Sequence, residues 1–373
     1  MSAKFRKIAV LTSGGDAPGM NACVRAVVNS AIRRNVEVYG LMRGYSGLLE
    51  DDMKILSPKD VANIAPLGGT ILYSDRCLEF KTEEGMAKAL ANCEKNGIDG
   101  IVAIGGDGTF RGATDLSSRG IPTIGIPGTI DNDITSTDAS IGFDTAMNTV
   151  IQMADRLRDT CESHARCNVI EVMGRAAGDI AIQTGIACGA VATVILEAPF
   201  DEEAMMQKII RMRAAGQRSF LVMVAEGVEN FSEGLAKRIQ ERTGVETKFA
   251  RLAHVVRGGA PTLRDRLLAA KMGDAAVEAL FEGKSDLVIC ERDSKIVSMD
   301  IQFALIMDRM YKGKLKDGDL DRFTEAQVAE MKARCEQKHA EFAKLYDIVD
   351  EITQSGAKTY EKDIRILLRE GIF

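Results

Sequence analysis

Short apolar runs, each cut off by a glycine-bearing turn and followed by a stretch of helical spacing, recur along most of the chain. Residues 6–12, RKIAVLT, stop at Ser13-Gly14-Gly15-Asp16-Ala17-Pro18-Gly19, and Met20, Val24, Val27 and Ile32 then mark one face of a helix over 20–33. Val36 to Met42 is a second run, leading into the loop-rich Gly44-Tyr45-Ser46-Gly47 and a later glycine turn at 68–69. A helix over 82–96 precedes the run Ile101–Ile104, which ends at Gly105-Gly106-Asp107-Gly108-Thr109. Another run, Ile121–Ile126, ends at Pro127-Gly128-Thr129-Ile130-Asp131-Asn132-Asp133. Phe143, Met147, Val150, Ile151, Ala154 and Leu157 place a long helix at about 143–158. Strands follow at 167–172, 191–196 and 219–225, the first ending in Met173-Gly174-Arg175 and the last at Glu226-Gly227. Strand alternating with helix predicts parallel, doubly wound α/β sheets with right-handed crossovers.

The pattern divides the chain. Residues 1–140 and 255–310 form a larger α/β domain, because Arg257-Gly258-Gly259 opens another loop-to-helix unit, and 141–254 with 311–323 form a smaller one. From 324 to 373 a helical extension is expected. Thr324 and Gln327 make a capping box, and Val328, Met331, Cys335, Phe342, Leu345, Val349 and Ile352 recur three or four apart, except at Lys338. A stripe of that length is either a helix packed on its own subunit or a short coiled-coil seam, the former being commoner.

Composition narrows the function classes. A chain of 373 residues exceeds one compact core and suits two domains. The formal charge of −6, without a basic run, argues against nucleic acid or an anionic membrane as partner. No apolar run approaches the roughly 20 residues of a spanning helix. Eight cysteines without a CxxC pair suggest reduced thiols and a cytoplasmic setting. Three histidines make a histidine cage improbable, so a metal would be a hard cation such as Mg²⁺ on carboxylates.

The glycine loops carry the candidate chemistry. Gly14 and Gly15 allow consecutive N–H groups to converge on an anion ahead of a helix N-terminus, although a plain tight turn has the same sequence. Asp107 sits between glycines at a strand end, where a carboxylate can reach a metal held on phosphates; a structural turn is the alternative. Asp131 and Asp133, after Thr129, are either a solvated Asx-type turn or a base and a charge-holding group for an alcohol nucleophile. A carboxylate with a reference pKa near about 3.9 is ionised at pH 7, the form a base requires. Phosphoryl transfer relies on positioning and charge neutralisation, and Arg76, Arg166, Arg175 and Arg257 all lie near loops or strand ends suited to phosphate.

SGGDAPGMNA (13–22), GGDGT (105–109), PGTIDND (127–133), EVMGR (171–175) and HVVRGG (254–259) occur in the order and similar spacing that mark the 6-phosphofructokinases, and the chain resembles the ATP-dependent bacterial type over about residues 6–310. PGTIDND and MGR are the specific members of this set; GGDGT also occurs in other kinases. The resemblance implies two Rossmann-like domains, the larger for nucleotide and the smaller for sugar phosphate, with the active site in the cleft between them. It implies transfer of the terminal phosphoryl group of Mg-ATP to the 1-hydroxyl of fructose 6-phosphate. Gly15, Arg76, Cys77, Gly106, Asp107, Gly108 and Thr109 would bind ATP, with Asp107 on Mg²⁺. Asp131 would be the base, helped by Thr129 and Asp133, and Arg175 would stabilise the phosphoryl group in flight. Thr129, Ile130, Asp131, Met173, Gly174, Arg175, Glu226, His254 and Arg257 would meet the sugar phosphate. Arg166 and Lys248 would reach it from a neighbouring subunit, which requires a homo-oligomer, typically a tetramer.

Several positions depart from the resemblance. Lys248 stands where the family has Arg and loses the bidentate fork; Tyr73 replaces a Gly and Cys77 an aromatic. Gly108 and Gly128 stand where pyrophosphate-using relatives carry Asp and Lys, which favours ATP as donor. Of the basic cluster that binds ADP or phosphoenolpyruvate in bacterial relatives, Arg25 and Arg158 remain. Asn29, Pro58, Ala215, Gln217 and Ser219 replace the other cations, and Val191 replaces a metal-binding Glu, so the effector site is expected to be lost or altered. A kinase using pyrophosphate or another ketose phosphate, and a non-catalytic regulatory subunit on the same fold, are the competing readings.

Overall fold

The computed structural model describes residues 5–369, with side chains through Val349, and divides into two units. The first comprises the chain up to Thr145 together with Arg257–Glu336; the second comprises Ala146–Val256 and the chain from Gln337 onward. Segment 311–323, expected with the smaller domain, falls in the first unit, and the extension is divided between the two rather than standing apart.

In the first unit the chain runs β1 (Lys7–Ser13), α1 (Met20–Ile32), β2 (Glu37–Leu41), α2 (Tyr45–Glu50), β3 (Met53–Ile55), α3 (Glu83–Asn96), β4 (Gly100–Gly105), α4 (Asp107–Ser117) and β5 (Thr123–Pro127). Helix α5 (Phe143–His164) leads into the second unit, which continues β6 (Cys167–Val172), α6 (Asp179–Ala187), β7 (Ala192–Val194), α7 (Glu202–Ala214), β8 (Phe220–Ala225), α8 (Ser232–Thr243) and β9 (Thr247–Arg251). The chain then returns to the first unit through α9 (Leu263–Phe281), the hairpin β10 (Leu287–Arg292) and β11 (Lys295–Asp300), and α10 (Ile301–Tyr311). A final helix, α11, spans Glu325–Arg369.

The first sheet has the order β11-β10-β5-β4-β1-β2-β3. Its five central strands are parallel, and an antiparallel strand closes each edge. β4 is buried at every position, as a parallel strand covered on both faces must be. Its alternate residues divide between layers. Ile101 and Ala103 join Ala9 and Leu11 of β1 in one cluster with Phe110 of α4, Met86 of α3 and Leu305 of α10. The other face packs beneath α1 and α9, which lie against each other and against these strands. The second sheet, β7-β8-β6-β9, is wholly parallel, with α7 and α8 supplying Met205, Ile209, Leu235 and Ile239 to its core.

Where the sequence reads Gly44–Gly47 as loop, a short helix forms, because Tyr45 and Leu48 are drawn into the core. Helix α5 runs six residues past the expected end, to His164. The capping box forms as expected: Gln327 N donates to Thr324 Oγ1 at 3.3 Å and Thr324 N to Gln327 Oε1 at 3.0 Å. The stripe behind it packs within the chain's own units. Met331 and Cys335 join Phe303, Ile306 and Met307 in the first unit, and Phe342 and Val349 are buried in the second. Ile352 lies outside the described side chains.

Candidate active site

Strand register brings the three glycine loops of the first unit together. Ser13 of β1 pairs with Gly105 of β4, and Gly105 pairs with Pro127 of β5, so the carboxyl ends of three neighbouring strands form one row. An open α/β sheet binds its ligands at such an edge. Two bonds tie the row together: Gly128 N donates to Gly105 O at 2.9 Å, and Thr109 Oγ1 donates to Ser13 O at 3.1 Å. A Cβ on Gly105 would lie 2.3 Å from Thr109 Oγ1 and 2.5 Å from Ser13 O, so this glycine serves close packing of the loops. Gly106 and Gly108 differ, since a Cβ on either would meet nothing within 4 Å. Their faces are open to a ligand. Helix α4 begins at Asp107 and directs its positive end there.

The 73–77 segment is fastened to the same row, with Ser74 Oγ donating to Gly14 O at 2.5 Å and Thr12 Oγ1 to Tyr73 O at 2.8 Å. Arg76 and Cys77 therefore follow directly on a tether to the first loop. Tyr73 has φ 58°, a left-handed conformation that suits the glycine expected at this position. Arg257 also belongs here: its Nη1 donates to Asp16 O at 3.1 Å, and a Cβ on Gly15 would come within 2.6 Å of that nitrogen.

The carboxylates occupy distinct settings. Asp107 is paired with Arg111, one turn along α4, at 2.6 Å. Asp131 is fully buried, as is Ile130, and its backbone N–H donates to Thr129 Oγ1 at 3.2 Å. Asn132 takes a left-handed φ of 53° and accepts Ser140 N at 3.1 Å, shaping the turn. Asp133 Oδ2 accepts Lys312 Nζ from the end of α10 at 3.2 Å. Burial works against the charge on Lys312, but Asp133, Asp308 and Asp107 outweigh it and raise its pKa. Burial pushes Asp308 up to about 6, with Lys312 and the bond from Thr135 pulling the other way. Neither Arg111, Lys312 nor Asp308 was marked by the sequence motifs.

Among the described residues no group of three or more histidine, cysteine, aspartate or glutamate side chains is placed to hold a metal. Mg²⁺ takes one or two carboxylates and completes its shell with phosphate and water. A single hard oxygen donor, Asp107, beside the open faces of Gly106 and Gly108, therefore fits a metal that arrives with nucleotide.

In the second unit Val172 of β6 pairs with Ala225 of β8, which sets the MGR turn beside Glu226. Glu226 Oε1 accepts Gly174 N at 3.2 Å and Arg175 N at 2.8 Å, so this carboxylate holds the turn through its backbone. Gly174 has φ 148° and a Cβ there would meet Ala177 O at 2.5 Å, which explains glycine at the turn. Met173 is buried, whereas Arg175 and His254 are exposed. Arg166 and Lys248 meet on one carboxylate: Glu246 lies 2.8 Å from Arg166 Nε and 2.9 Å from Lys248 Nζ. The hydrogen bond from Arg166, then that from Lys248, holds the Glu246 carboxyl well below its usual range, at about 2. Glu246 escaped the sequence reading because it belongs to no motif. Of the residual effector cations, Arg158 donates to the carbonyl of Cys188, and Val191 is buried in the core.

A model of the family described as Phosphofructokinase matches residues 7–280. The ATP-dependent 6-phosphofructokinase of Clostridium botulinum strain Hall is 48% identical over 313 residues, covering 84% of this chain and 98% of its own. The ATP-dependent 6-phosphofructokinase 1 of Clostridium perfringens strain 13 is 48% identical over 83% of this chain and 97% of its own. The solved structure of phosphofructokinase from Saccharomyces cerevisiae aligns with a TM-score of 0.81 at 30% identity, over 94% of this chain; the chain spans 50% of that protein's length. The row of glycine loops lies inside the matched segment, and relatives at near half identity align with this chain over 97% and 98% of their own length, so this chain belongs to the phosphofructokinase family.

Proposed function

We propose that the protein transfers the terminal phosphoryl group of Mg-ATP to the 1-hydroxyl of fructose 6-phosphate, giving fructose 1,6-bisphosphate and ADP, the committed step of glycolysis. The observation that carries this reading is the register-aligned row of β1, β4 and β5, which sets the open glycines and Asp107 on the loop next to the one bearing Thr129, Asp131 and Asp133. The names of the curated relatives support the same donor and acceptor.

On this reading Gly15, Gly106, Gly108, Thr109, Arg76 and Cys77 receive the nucleotide, and Asp107, paired here with Arg111, is the residue that would hold Mg²⁺. Bound Mg²⁺ supplies charge neutralisation on the phosphates. Asp131 accepts the proton of the 1-hydroxyl as that oxygen bonds to phosphorus, and its burial keeps water from competing as acceptor. Lys312 keeps the Asp133 carboxylate in a fixed place beside it. Arg175 compensates the charge of the phosphoryl group in flight, and Met173, Gly174, Glu226 and His254 receive the sugar. Arg166, Lys248 and Arg257 take the 6-phosphate; Glu246 keeps the first two ready, since a phosphate can replace a carboxylate as acceptor of the same donors. ATP rather than pyrophosphate is assigned from Gly108, whose side-chain position is open. Gly128 has a packing reason of its own, because a Cβ there would lie 3.0 Å from Ile104 Cγ2.

A homo-oligomer, a tetramer with Arg166 and Lys248 serving a neighbouring subunit's site, follows from the same reading, and a cytoplasmic location accords with it. No helix among the described residues is long and apolar enough to cross a membrane.

A coupled assay of purified protein with fructose 6-phosphate, ATP against pyrophosphate, tests the reading. Asp131→Asn should lower turnover by about 10²–10⁴-fold, with ATP and sugar-phosphate binding by calorimetry retained. Undiminished turnover would remove Asp131 as base.

A further inference from the structure

The segment that follows Asp131–Asp133 is a buried loop: Thr135, Ser136 and Thr137 are fully inaccessible. Buried backbone groups outside a helix or sheet need partners of some kind, and here they come from the far end of the chain. Thr135 N donates to Asp308 Oδ1 of α10, and Thr135 O accepts Arg334 Nε of α11 at 3.3 Å. Ser136 O accepts Arg292 Nε at 3.1 Å, and Asp138 N donates to Glu291 O at 2.8 Å. The Asp138 carboxylate accepts Arg334 Nη2 at 2.5 Å and Asp293 N at 2.7 Å. Arg334 is thus bonded to the loop at two points, and its side chain is only 10% exposed.

The family model ends at residue 280, and relatives matched over 98% of their own length account for 84% of this chain. Helix α11 lies past the family segment, and yet it touches the loop next to the proposed base. Docking the helix does not require Arg334, because Met331 and Cys335, to either side of it, are already buried against Phe303, Ile306 and Met307. The hydrogen bonds of Arg334 to Thr135 O and to the Asp138 carboxylate are both made to the loop.

We propose that Arg334 is a positioning residue, through which the C-terminal helix α11 fixes the loop carrying Asp131 and Asp133 in its reactive setting. The planar guanidinium sets the loop carbonyl at Thr135 and the carboxylate at Asp138 in one frame, which a lysine ammonium on a single contact does not do. A small displacement of a base or its neighbours costs rate before it costs binding. The nucleotide loops hang on β1 and β4 and do not depend on α11.

The activity arm of this proposal rests on the phosphofructokinase reading; a second arm does not. In the full-length protein, Arg334→Met should lower kcat about tenfold or more while the KM for ATP changes less than about twofold, and Arg334→Lys should fall between it and wild type. Hydrogen exchange measured by mass spectrometry should speed up across 131–138 in Arg334→Met and remain unchanged across 105–117. Wild-type kcat, or unaltered exchange across 131–138, would overturn the proposal, as would a lower melting temperature with no change in either measurement. Should Arg334→Met fail to fold, Asp138→Asn leaves the Thr135 bond in place; a smaller kcat loss with the same KM pattern supports the brace, and wild-type kcat sinks it. If wild type shows no turnover with fructose 6-phosphate, the catalytic reading fails, and the exchange measurement alone decides whether α11 holds the loop.

Discussion

Asp308 is a buried carboxylate whose removal should stabilise the protein at neutral pH. It is 4% exposed on α10 and accepts Thr135 N through Oδ1, an acceptor that the amide oxygen of asparagine reproduces. Burial raises its pKa from 3.8 to about 6 in the folded protein, Lys312 offsetting only part of that cost. Because the folded pKa lies above the unfolded one, the folded state keeps a proton that the unfolded state loses between these values. Stability contributed by this group is therefore complete below about pH 4 and is lost as pH rises through about 6. At about 1.36 kcal/mol for each tenfold in the proton equilibrium, the loss by pH 8 is about 3 kcal/mol. Asp308→Asn abolishes this pH-dependent loss while keeping the bond to Thr135, and Lys312 retains Asp133 at 3.2 Å. Urea unfolding at fixed protein concentration, at pH 4 and at pH 8, measures the effect. The variant should match wild type closely at pH 4 and exceed it at pH 8, the gap widening by about 2–3 kcal/mol. A gap that stays constant within about 0.5 kcal/mol, or that narrows as pH rises, would refute the assignment of Asp308 as a desolvated charge.

Two further outcomes test the donor and effector readings. Gly108→Asp introduces a side chain where a Cβ meets nothing within 4 Å, so the melting temperature should hold, while like-charge repulsion against the nucleotide lowers kcat/KM for ATP by about a hundredfold; unchanged ATP kinetics would separate Gly108 from donor choice. Millimolar phosphoenolpyruvate should alter the initial rate by less than about twofold, because a phosphate site needs converging cations and Arg158 is committed to the Cys188 carbonyl; a strong response abolished in Arg25→Ala would show the effector site to be intact.

What was legible in the sequence follows from how each element is buried. β1, β4, β5 and β8 read as largely apolar runs because both faces of a central parallel strand are covered. β9 did not: as an edge strand, TKFAR mixes exposed and half-buried positions, so Lys248 looked like a residue of no particular element. The β10–β11 hairpin was missed because its buried run is short, Val288, Ile289 and Cys290 lying among half-buried and exposed positions. At the site, Asp107 and Asp131 were visible because they sit in glycine loops. Lys312, Arg334 and Glu246 acquire meaning only through contacts with Asp133, with Thr135 and Asp138, and with Arg166, far away in sequence. One signal was available. Asp308 and Lys312 interrupt IQFALIMDRMY and its sequel four residues apart, and a charged pair on so apolar a helix needs a buried partner.

The loops of the first unit are therefore held by two different kinds of force. The nucleotide side is a product of the sheet itself: Ser13, Gly105 and Pro127 are placed by register, and position 105 admits only glycine because a Cβ there would fall 2.3 Å from Thr109 Oγ1 and 2.5 Å from Ser13 O. Changes at these three positions act on folding, because the loop geometry and the strand pairing are the same contacts. The loop after Asp131 instead depends on side chains from residues 291–334, several of them charged, whose bonds are not needed to form the sheet. Charged hydrogen bonds on a buried loop are strong, yet each is a single interaction that one substitution removes. Rate can then vary independently of the fold, by changes at Lys312, Arg334 or Asp138, while the nucleotide loops stay as they are. An extension packed through Met331 and Cys335 supplies that second point of control without entering the donor site.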